Sequence, residues 1–127
     1  MNAADGSFKI MIVDDHAGMR RIVRRYCELL AREFIECESG ESAVKAFAEH
    51  APDWTIMDLR MEGMDGLAAT TAIRHECPGA RIIVISQFDE PELEARARAA
   101  GALEFVSKEN LSVLTRIILS TPNPRSL

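Results

Sequence analysis

Four short apolar segments of this chain end in polar side chains whose types are suited to phosphoryl chemistry. The segments IMIVDD, WTIMD, IIVIS and EFVSK end at Asp14 and Asp15, at Asp58, at Ser86 and at Lys108. If the segments are strands of one parallel sheet, their carboxyl ends meet at one edge, where open α/β sheets bind ligands. Three carboxylates, a hydroxyl and an ammonium would then share one pocket. Such a pocket is equipped to handle a phosphoryl group together with a divalent cation.

The three carboxylates define the chemistry more closely. Asp14, Asp15 and Asp58 cannot all stay ionised in a partly buried pocket without compensation, because like charges disfavour one another's ionised form. A bound cation or a lysine resolves the conflict, and oxygen ligands favour Mg²⁺ over zinc or copper. With Lys108 as a fixed positive charge, one carboxylate can attack phosphorus and form an aspartyl phosphate. Ser86 can donate a hydrogen bond to a phosphoryl oxygen.

The elements that must position these residues follow from hydrophobic periodicity. Apolar runs rich in Ile, Val and Met alternate with segments whose apolar residues recur every three or four positions. The predicted strands are 8–13, 33–37, 54–58, 81–86 and 103–106. The predicted helix starts are Ser39-Gly40-Glu41, Asp65-Gly66 and Asp89-Glu90-Pro91, with Asp65 and Asp89 as caps, and the last helix is 111–119. Five strands alternating with five helices predict a three-layer α/β sandwich, because right-handed crossovers place helices on both faces of a parallel sheet.

The first helix is predicted to have one apolar and one basic face. Its apolar face comprises Met19, Ile22, Val23, Tyr26, Leu29 and Leu30, and its basic face comprises Arg20, Arg21, Arg24 and Arg25. A solvated helix face is the first interpretation of the arginines, and docking of an acidic partner is the alternative.

Composition limits the class of protein. The 127 residues, 47% of them hydrophobic, suffice for one domain with a single core, and the last residues, 121–127, read as a flexible tail. The formal net charge of −5 argues against a direct nucleic-acid surface.

Three cysteines without a C-x-x-C spacing indicate neither a disulfide framework nor a zinc site, and they are predicted as small core residues. His16, His50 and His75 share no ligand spacing and are assigned surface or capping roles. No segment resembles a signal peptide or a membrane span, so a cytoplasmic location is expected.

Taken together, the motifs resemble those of a response-regulator receiver domain of two-component signalling, a CheY-like module, over about Phe8 to Ser120. The matching pieces are the acidic pair in IMIVDDH, the loop MDLRMEGMDG with Asp58, the hydroxyl in VIS, and GALEFVSK with its aromatic residue and lysine. The resemblance implies a doubly wound (βα)5 parallel sheet of the flavodoxin-like α/β class with strand order 2-1-3-4-5. It also implies a single receiver domain across 1–127, with a core of about 8–120.

The resemblance implies a role for each pocket residue. Asp58 would accept the phosphoryl group, and Asp15 and Asp58 would bind Mg²⁺ directly together with the backbone carbonyl of Arg60. Asp14 would act through a metal-bound water. No other catalytic activity is implied beyond autophosphorylation and autodephosphorylation.

The remaining implied residues concern switching. Ser86 and Lys108 would bind the phosphoryl oxygens, and Phe105 would occupy the family's switching aromatic position. Phosphorylation would change the surface formed by the fourth helix, fifth strand and fifth helix, biasing it between two arrangements. The implied partners are a sensor histidine kinase or a histidine phosphotransfer protein as donor and a downstream protein as target. The protein is expected to be a monomer or a phosphorylation-dependent dimer.

Some positions depart from the family pattern, and two other functions remain open. Glu62 replaces the usual proline of the acceptor loop, Gln87 replaces a small residue after the hydroxyl, and Glu104 stands where glycine is frequent. These departures motivate a pseudo-receiver that serves only as a protein-binding or dimerisation module. A small aspartate-dependent phosphatase is the other alternative, but Arg60 occupies its second acidic position.

Overall fold

The computed structural model describes residues 6–121 and contains a five-stranded parallel sheet with helices on both faces. The strands are β1 (Phe8–Val13), β2 (Ala31–Cys37), β3 (Trp54–Asp58), β4 (Ile82–Ser86) and β5 (Glu104–Ser107). The helices are α1 (Ala17–Cys27), α2 (Gly40–His50), α3 (Gly66–Glu76), α4 (Pro91–Ala99) and α5 (Val113–Ser120). The strand order β2-β1-β3-β4-β5, with every neighbouring pair parallel, confirms the predicted flavodoxin-like α/β fold.

The central strands separate two apolar clusters. Ile10 and Ile12 of β1 pack in the cluster on one face, whereas Met11 and Val13 pack in the cluster on the other. Residues of α1 and α5 complete the first cluster, and residues of α2, α3 and α4 complete the second. Because side chains alternate between faces, a strand covered by helices on both sides must be apolar at nearly every position. The continuous apolar runs of the sequence therefore mark the strands that carry the pocket residues at their ends.

Two of the predicted helix starts have the expected caps, and one does not. The Ser39 hydroxyl accepts a hydrogen bond from the Ser42 amide at 3.0 Å, and Asp65 accepts one from the Ala68 amide at 2.9 Å. The prediction of Asp89 as a cap is wrong, because Glu90 occupies the N-cap position of α4 and makes no side-chain capping bond. Pro91 at the first turn, which needs no amide donor, sets this boundary instead.

The apolar face predicted for α1 is only partly correct. Val23 is buried, as is Leu30 in the turn that follows the helix, whereas Ile22, Tyr26 and Leu29 are exposed. The helix ends at Cys27, so Leu29 lies beyond it and is 75% exposed. The buried stripe runs through Val23, Cys27 and Leu30, and the other apolar residues lie beside it.

The arginines of α1 do not form one uniform solvated face. Arg20 Nε lies 3.0 Å from one carboxylate oxygen of Glu36, and Arg24 Nη1 lies 2.8 Å from the other. Partial burial acts to raise the pKa of Glu36, but the hydrogen bonds and charges of Arg24 and Arg20 outweigh it and lower that pKa. Arg21 and Arg25 are exposed. Two of the four arginines therefore tie α1 to the edge strand β2.

Several boundaries differ from the prediction by one or two residues. Strand β2 begins at Ala31 rather than at residue 33, β5 is Glu104–Ser107 rather than 103–106, and α5 begins at Val113 rather than at residue 111.

Of the cysteines, Cys27 and Cys37 are buried, and burial raises the pKa of the Cys27 thiol to about 12. Between residues 6 and 121 no helix combines the length and the apolarity needed to cross a bilayer. All of the predicted tail except Thr121 lies outside the described residues.

Candidate functional site

The carboxyl ends of three strands border one small open cavity. β3 supplies Asp58, β4 supplies Ser86, and Lys108 directly follows β5. The cavity has a volume of about 190 Å³. Its lining comprises His16, Asp58, Leu59, Arg60, Ser86, Gln87, Phe88 and Lys108. The parallel register therefore brings the predicted acceptor, hydroxyl and lysine to one place.

Asp58 is held at the base of this cavity by the backbone around it. It is the last residue of β3 and is 3% exposed. The next residue, Leu59, donates its amide to the Ile85 carbonyl at 2.9 Å and accepts a hydrogen bond from the Gly66 amide at 2.9 Å. A Cβ atom at Gly66 would collide with the Asp58 carbonyl oxygen, so the close approach of α3 requires glycine here. The acceptor loop is thereby fixed at both ends.

Lys108 bridges two of the carboxylates. Its Nζ lies 2.9 Å from Asp58 Oδ1 and 3.3 Å from Asp14 Oδ2. The Lys108 amide donates to the Ser86 carbonyl at 2.7 Å, which anchors the residue beside β4. Burial acts to lower the pKa of Lys108, but the hydrogen bond and charge of Asp58, together with Asp14, outweigh it and raise that pKa. The lysine is therefore a permanent cation at neutral pH.

For the pKa of Asp58, unlike that of Lys108, the effect of burial is not outweighed by the charged partner. Burial raises the pKa of its carboxyl group, and the negative charges of Asp14 and Asp15 add to the increase. The hydrogen bond and charge of Lys108 act in the other direction without cancelling the effect. The single ammonium of Lys108 thus does not neutralise the carboxylates around it. Binding of a further cation at this site would be electrostatically favourable.

Asp14, Asp15 and the neighbouring His16 form the acidic side of the site. Asp14 is fully buried, and its Oδ1 accepts the His16 amide at 2.9 Å. Asp15 Oδ1 is buried and lies 2.9 Å from His16 Nδ1, yet it accepts no hydrogen bond from residues 6–121. One potential ligand atom from each of the three residues lies within 4.8 Å of the others. An unsatisfied carboxylate oxygen beside excess negative charge fits a hard, oxygen-preferring cation such as Mg²⁺.

Ser86 is buried at the end of β4, opposite Ser107 in the register of β5. Its hydroxyl oxygen accepts the Phe88 amide at 3.0 Å, which bends the chain back directly after the strand. The hydroxyl proton remains available for an acceptor in the cavity, because a serine hydroxyl both donates and accepts.

Arg60 and Phe88 meet at the cavity. The guanidinium carbon of Arg60 lies 5.1 Å from the centroid of the Phe88 ring, and the ring is 45% exposed. An exposed contact of this kind contributes about 0.5 to 1 kcal/mol. The pair joins the segment after β3 to the segment after β4.

Phe105 lies away from this cavity. It pairs with Val84 in the β4–β5 register and is partly buried against the cluster that contains α4. It borders a second, larger cavity of about 520 Å³ between the ends of β5 and α5, together with Glu104, Ile117 and other residues. The structure therefore brings the predicted pocket residues together, whereas Phe105, predicted as the switching aromatic, borders another surface.

Sequence reasoning missed three residues of the cavity lining, one of which is Leu59, the buried neighbour of Asp58. His16 was assigned a surface or capping role, and Phe88 was given no role, although both line the cavity. Their positions next to the acidic pair and two residues after Ser86 are the signal that could have identified them. Gln87 lines the cavity as its position suggested, whereas Glu62 is exposed and is not part of the lining.

Comparisons with known proteins agree with this arrangement. A family model described as the response regulator receiver domain matches residues 10–118. The chemotaxis protein CheY of Bacillus subtilis is 37% identical over 101 residues, which cover 79% of this chain and 84% of CheY. Some other curated relatives are longer: the chain spans 28% of the length of one and 50% of the length of another.

Solved structures show the same similarity. A two-component response regulator of the LuxR family from Aurantimonas is 29% identical with a TM-score of 0.83, covering 94% of this chain and 92% of that one. A complex described as CheX-CheY-BeF3-Mg²⁺ from Borrelia burgdorferi has a chain that is 26% identical with a TM-score of 0.78, covering 87% of each chain.

Proposed function

The chain belongs to the response regulator receiver domain family, and on this premise we propose that it is a signalling switch controlled by phosphorylation of Asp58. The proposed domain is the whole of 1–127, with a core of about 8–120. The observation that carries the proposal is the position of Lys108, whose ammonium bridges Asp58 and Asp14 at the edge of an open cavity.

The proposed reaction transfers a phosphoryl group from a phosphohistidine to Asp58. A carboxylate oxygen of Asp58 attacks phosphorus, the new O–P bond forms as the N–P bond breaks, and the imidazole leaves with its electron pair and takes up a proton. Burial and neighbouring acids destabilise the ionised carboxylate, as the raised pKa of Asp58 indicates. Because Lys108 lies 2.9 Å from one Asp58 oxygen, its charge offsets the negative charge that arrives with the phosphoryl group.

The acidic residues of the site are suited to hold Mg²⁺. The proposed protein ligands are Asp15, Asp58 and the backbone carbonyl of Arg60, with Asp14 acting through a water. The unsatisfied Oδ1 atom of Asp15 supports this assignment. When bound, the metal would offset charge on the transferring phosphoryl oxygens. The related Borrelia complex is described as containing both Mg²⁺ and beryllofluoride.

Switching is proposed to begin at Ser86. Its hydroxyl proton can be donated to a phosphoryl oxygen, and this new bond would pull on the chain that leads to α4. Phe105, on the neighbouring strand β5, borders the cavity between β5 and α5, and its partial exposure leaves room for a second position. The surface of α4, β5 and α5 would thereby present different contacts to a downstream protein.

The proposed setting is cytoplasmic, with a sensor histidine kinase or a histidine phosphotransfer protein as donor. The protein would be a monomer or a dimer that forms on phosphorylation. Its intrinsic chemistry would be limited to taking up the phosphoryl group and releasing it to water, which yields inorganic phosphate and restores the Asp58 carboxylate.

Intact mass spectrometry tests the proposal. The protein is incubated with a small acyl phosphate in the presence of Mg²⁺, and a gain of one phosphoryl group per chain is expected. The gain should disappear when Mg²⁺ is removed by a chelator, because the charge of the carboxylates then opposes the incoming phosphoryl group.

Asp58→Asn and Asp53→Asn form a matched pair of controls. Both positions are buried aspartates of the same segment, but Asp53 lies at the opposite end of β3. Asp53→Asn should be phosphorylated like the wild type, and Asp58→Asn should not. A gain that persists in Asp58→Asn would identify another acceptor. No gain in the wild type with several donors would reject the proposal and favour a pseudo-receiver that only binds other proteins.

A further inference from the structure

The contact between Arg60 and Phe88 combines two unusual features at the mouth of the cavity. Arg60 makes no hydrogen bond or ion pair with any residue between 6 and 121, and its described partner is the Phe88 ring, 5.1 Å away. Phe88 is one of the few large apolar side chains that are substantially exposed in the described part of the chain. Arg60 is itself exposed, so the contact with the ring holds its guanidinium only weakly.

The position of this pair links it to phosphorylation. Arg60 is two residues after Asp58, Phe88 is two residues after Ser86, and all four residues line the same cavity. A phosphoryl group on Asp58 adds a charge of about −1.5 to −2 and three acceptor oxygens. The forked donors of a guanidinium match those oxygens far better than they match a ring face.

We propose that the Phe88 ring and a phosphoryl group on Asp58 compete for the guanidinium of Arg60. In the unphosphorylated protein the ring holds the guanidinium; after phosphorylation the guanidinium binds phosphoryl oxygens and releases the ring. This inference rests on the proposed function, since it needs Asp58 as the acceptor. Arg60 acts as a second cation beside Lys108, and Phe88 becomes free to move together with the segment that leads into α4.

If the ring and the phosphoryl group compete, substitutions of Arg60 and of Phe88 should change the affinity for a phosphoryl mimic in opposite directions. Arg60→Gln removes a phosphoryl ligand and should weaken binding of beryllofluoride, a mimic of the phosphoryl group, by about tenfold or more. Phe88→Leu removes the competing ring and should tighten binding by about two- to fivefold, the equivalent of one exposed cation–π contact. A purely structural role for either residue would weaken binding in both variants.

The double variant provides the decisive measurement. If Phe88 acts only through Arg60, the double variant should bind beryllofluoride with the affinity of Arg60→Gln alone, so that the effect of Phe88→Leu disappears. Affinities are measured by titration in excess Mg²⁺, with backbone amide NMR spectra recorded on each variant to verify folding. The Arg60 side-chain resonances should lose their ring-current shift when beryllofluoride binds to the wild type, and should lack it in free Phe88→Leu.

Arg24→Gln is the matched control. It removes the same charge from an arginine that also lies over a phenylalanine, Phe34 at 4.8 Å, but at the edge strand away from the cavity. It should change beryllofluoride affinity by less than about twofold, because a distant exposed charge is screened by salt.

The possible failures are distinguishable. If the wild type takes up neither a phosphoryl group nor beryllofluoride, the proposed function fails. If it takes up both and Arg60→Gln binds beryllofluoride as the wild type does, only the inference about Arg60 fails. A tightening by Phe88→Leu that survives in the double variant would show that the ring obstructs the cavity sterically instead of competing for the arginine.

Discussion

At the amino-terminal edge of the sheet one buried carboxylate meets an arginine and a backbone amide, whereas at the carboxyl-terminal edge several carboxylates meet one lysine. Asp53 Oδ2 accepts the Lys9 amide at 2.8 Å and lies 3.5 Å from Arg32 Nη1. Arg81 lies over the buried Trp54 ring at 4.6 Å and donates to the Asp53 carbonyl at 3.2 Å. The negative charge of the Asp53 carboxylate is therefore offset by a nearby cation.

The carboxyl-terminal edge is not balanced in this way. Lys108 must serve both Asp58 and Asp14, and the carboxylate of Asp15 adds a third negative charge beside them. Burial raises the pKa of Asp58, and the charges of Asp14 and Asp15 raise it further, so that Lys108 does not cancel the increase. We therefore propose that the two edges of the sheet separate two tasks: one stabilises the fold, and the other is suited to binding a cation and a phosphoryl group.

The largest expected effect comes from removing the lysine. Lys108→Met leaves Asp58 and Asp14 buried without their shared cation and should lower the free energy of unfolding at pH 7 by about 3 to 5 kcal/mol. The sign follows from the raised pKa of Lys108, since such a group stabilises the fold below the pKa of unfolded lysine, 10.5, and the stabilisation disappears above its folded pKa. Urea denaturation measures the loss.

Lys9→Met is the matched control at the other edge. The Lys9 ammonium donates to the His50 carbonyl and lies 3.9 Å from a Glu33 oxygen that is largely exposed. Its removal should lower the free energy of unfolding by about 1 kcal/mol or less. Similar losses for the two lysine variants would contradict the distinction between the edges.

The sequence predicted the carboxyl-terminal edge well for a physical reason. A strand buried on both faces is apolar at nearly every position, so the first polar residue after the run marks its end. Asp14, Asp58 and Ser86 are such residues, and the parallel order of the strands places them together. The family resemblance then supplied roles that spacing alone does not give.

Side-chain contacts made by loops and helix ends were not predictable in the same way. The partner of Arg60 depends on how two loops approach each other, and the bond of Arg20 to Glu36 depends on the packing of α1 over β2. Asp89 was a plausible cap by residue type, but Pro91 fixed the helix start one residue later. Periodicity indicates which face of an element is apolar; it does not indicate which neighbour a long side chain will reach.

The next effect concerns the balanced carboxylate. Asp53→Asn should lower the free energy of unfolding by about 1.5 to 3 kcal/mol at pH 7, because it weakens a charge-assisted hydrogen bond to the Lys9 amide and removes the ion pair with Arg32. Urea denaturation monitored by circular dichroism measures the change. If Asp53→Asn left the free energy of unfolding unchanged or raised it, the amino-terminal edge would, like the carboxyl-terminal edge, contain uncompensated negative charge.

The smallest effect has the opposite sign. Asp58→Asn should raise the free energy of unfolding at pH 7 by about 1 kcal/mol in the absence of Mg²⁺, because it removes one of several buried like charges. The pKa of Asp58 is raised in the folded state, so the folded protein holds its proton more tightly than the unfolded chain does. Wild-type stability from this group therefore falls as the pH rises from the unfolded value, 3.8, through the folded pKa. The advantage of the variant should vanish below pH 3.8.

Mg²⁺ should reverse the order of the two proteins. At a concentration one hundred times its dissociation constant, a bound ion stabilises the wild type by about 2.7 kcal/mol. Asp58→Asn, which has lost a proposed ligand, should gain much less, so the wild type should become the more stable protein. If Mg²⁺ stabilises both proteins equally, Asp58 is not a metal ligand, and the shortage of positive charge at this edge would have to be explained by phosphoryl binding alone.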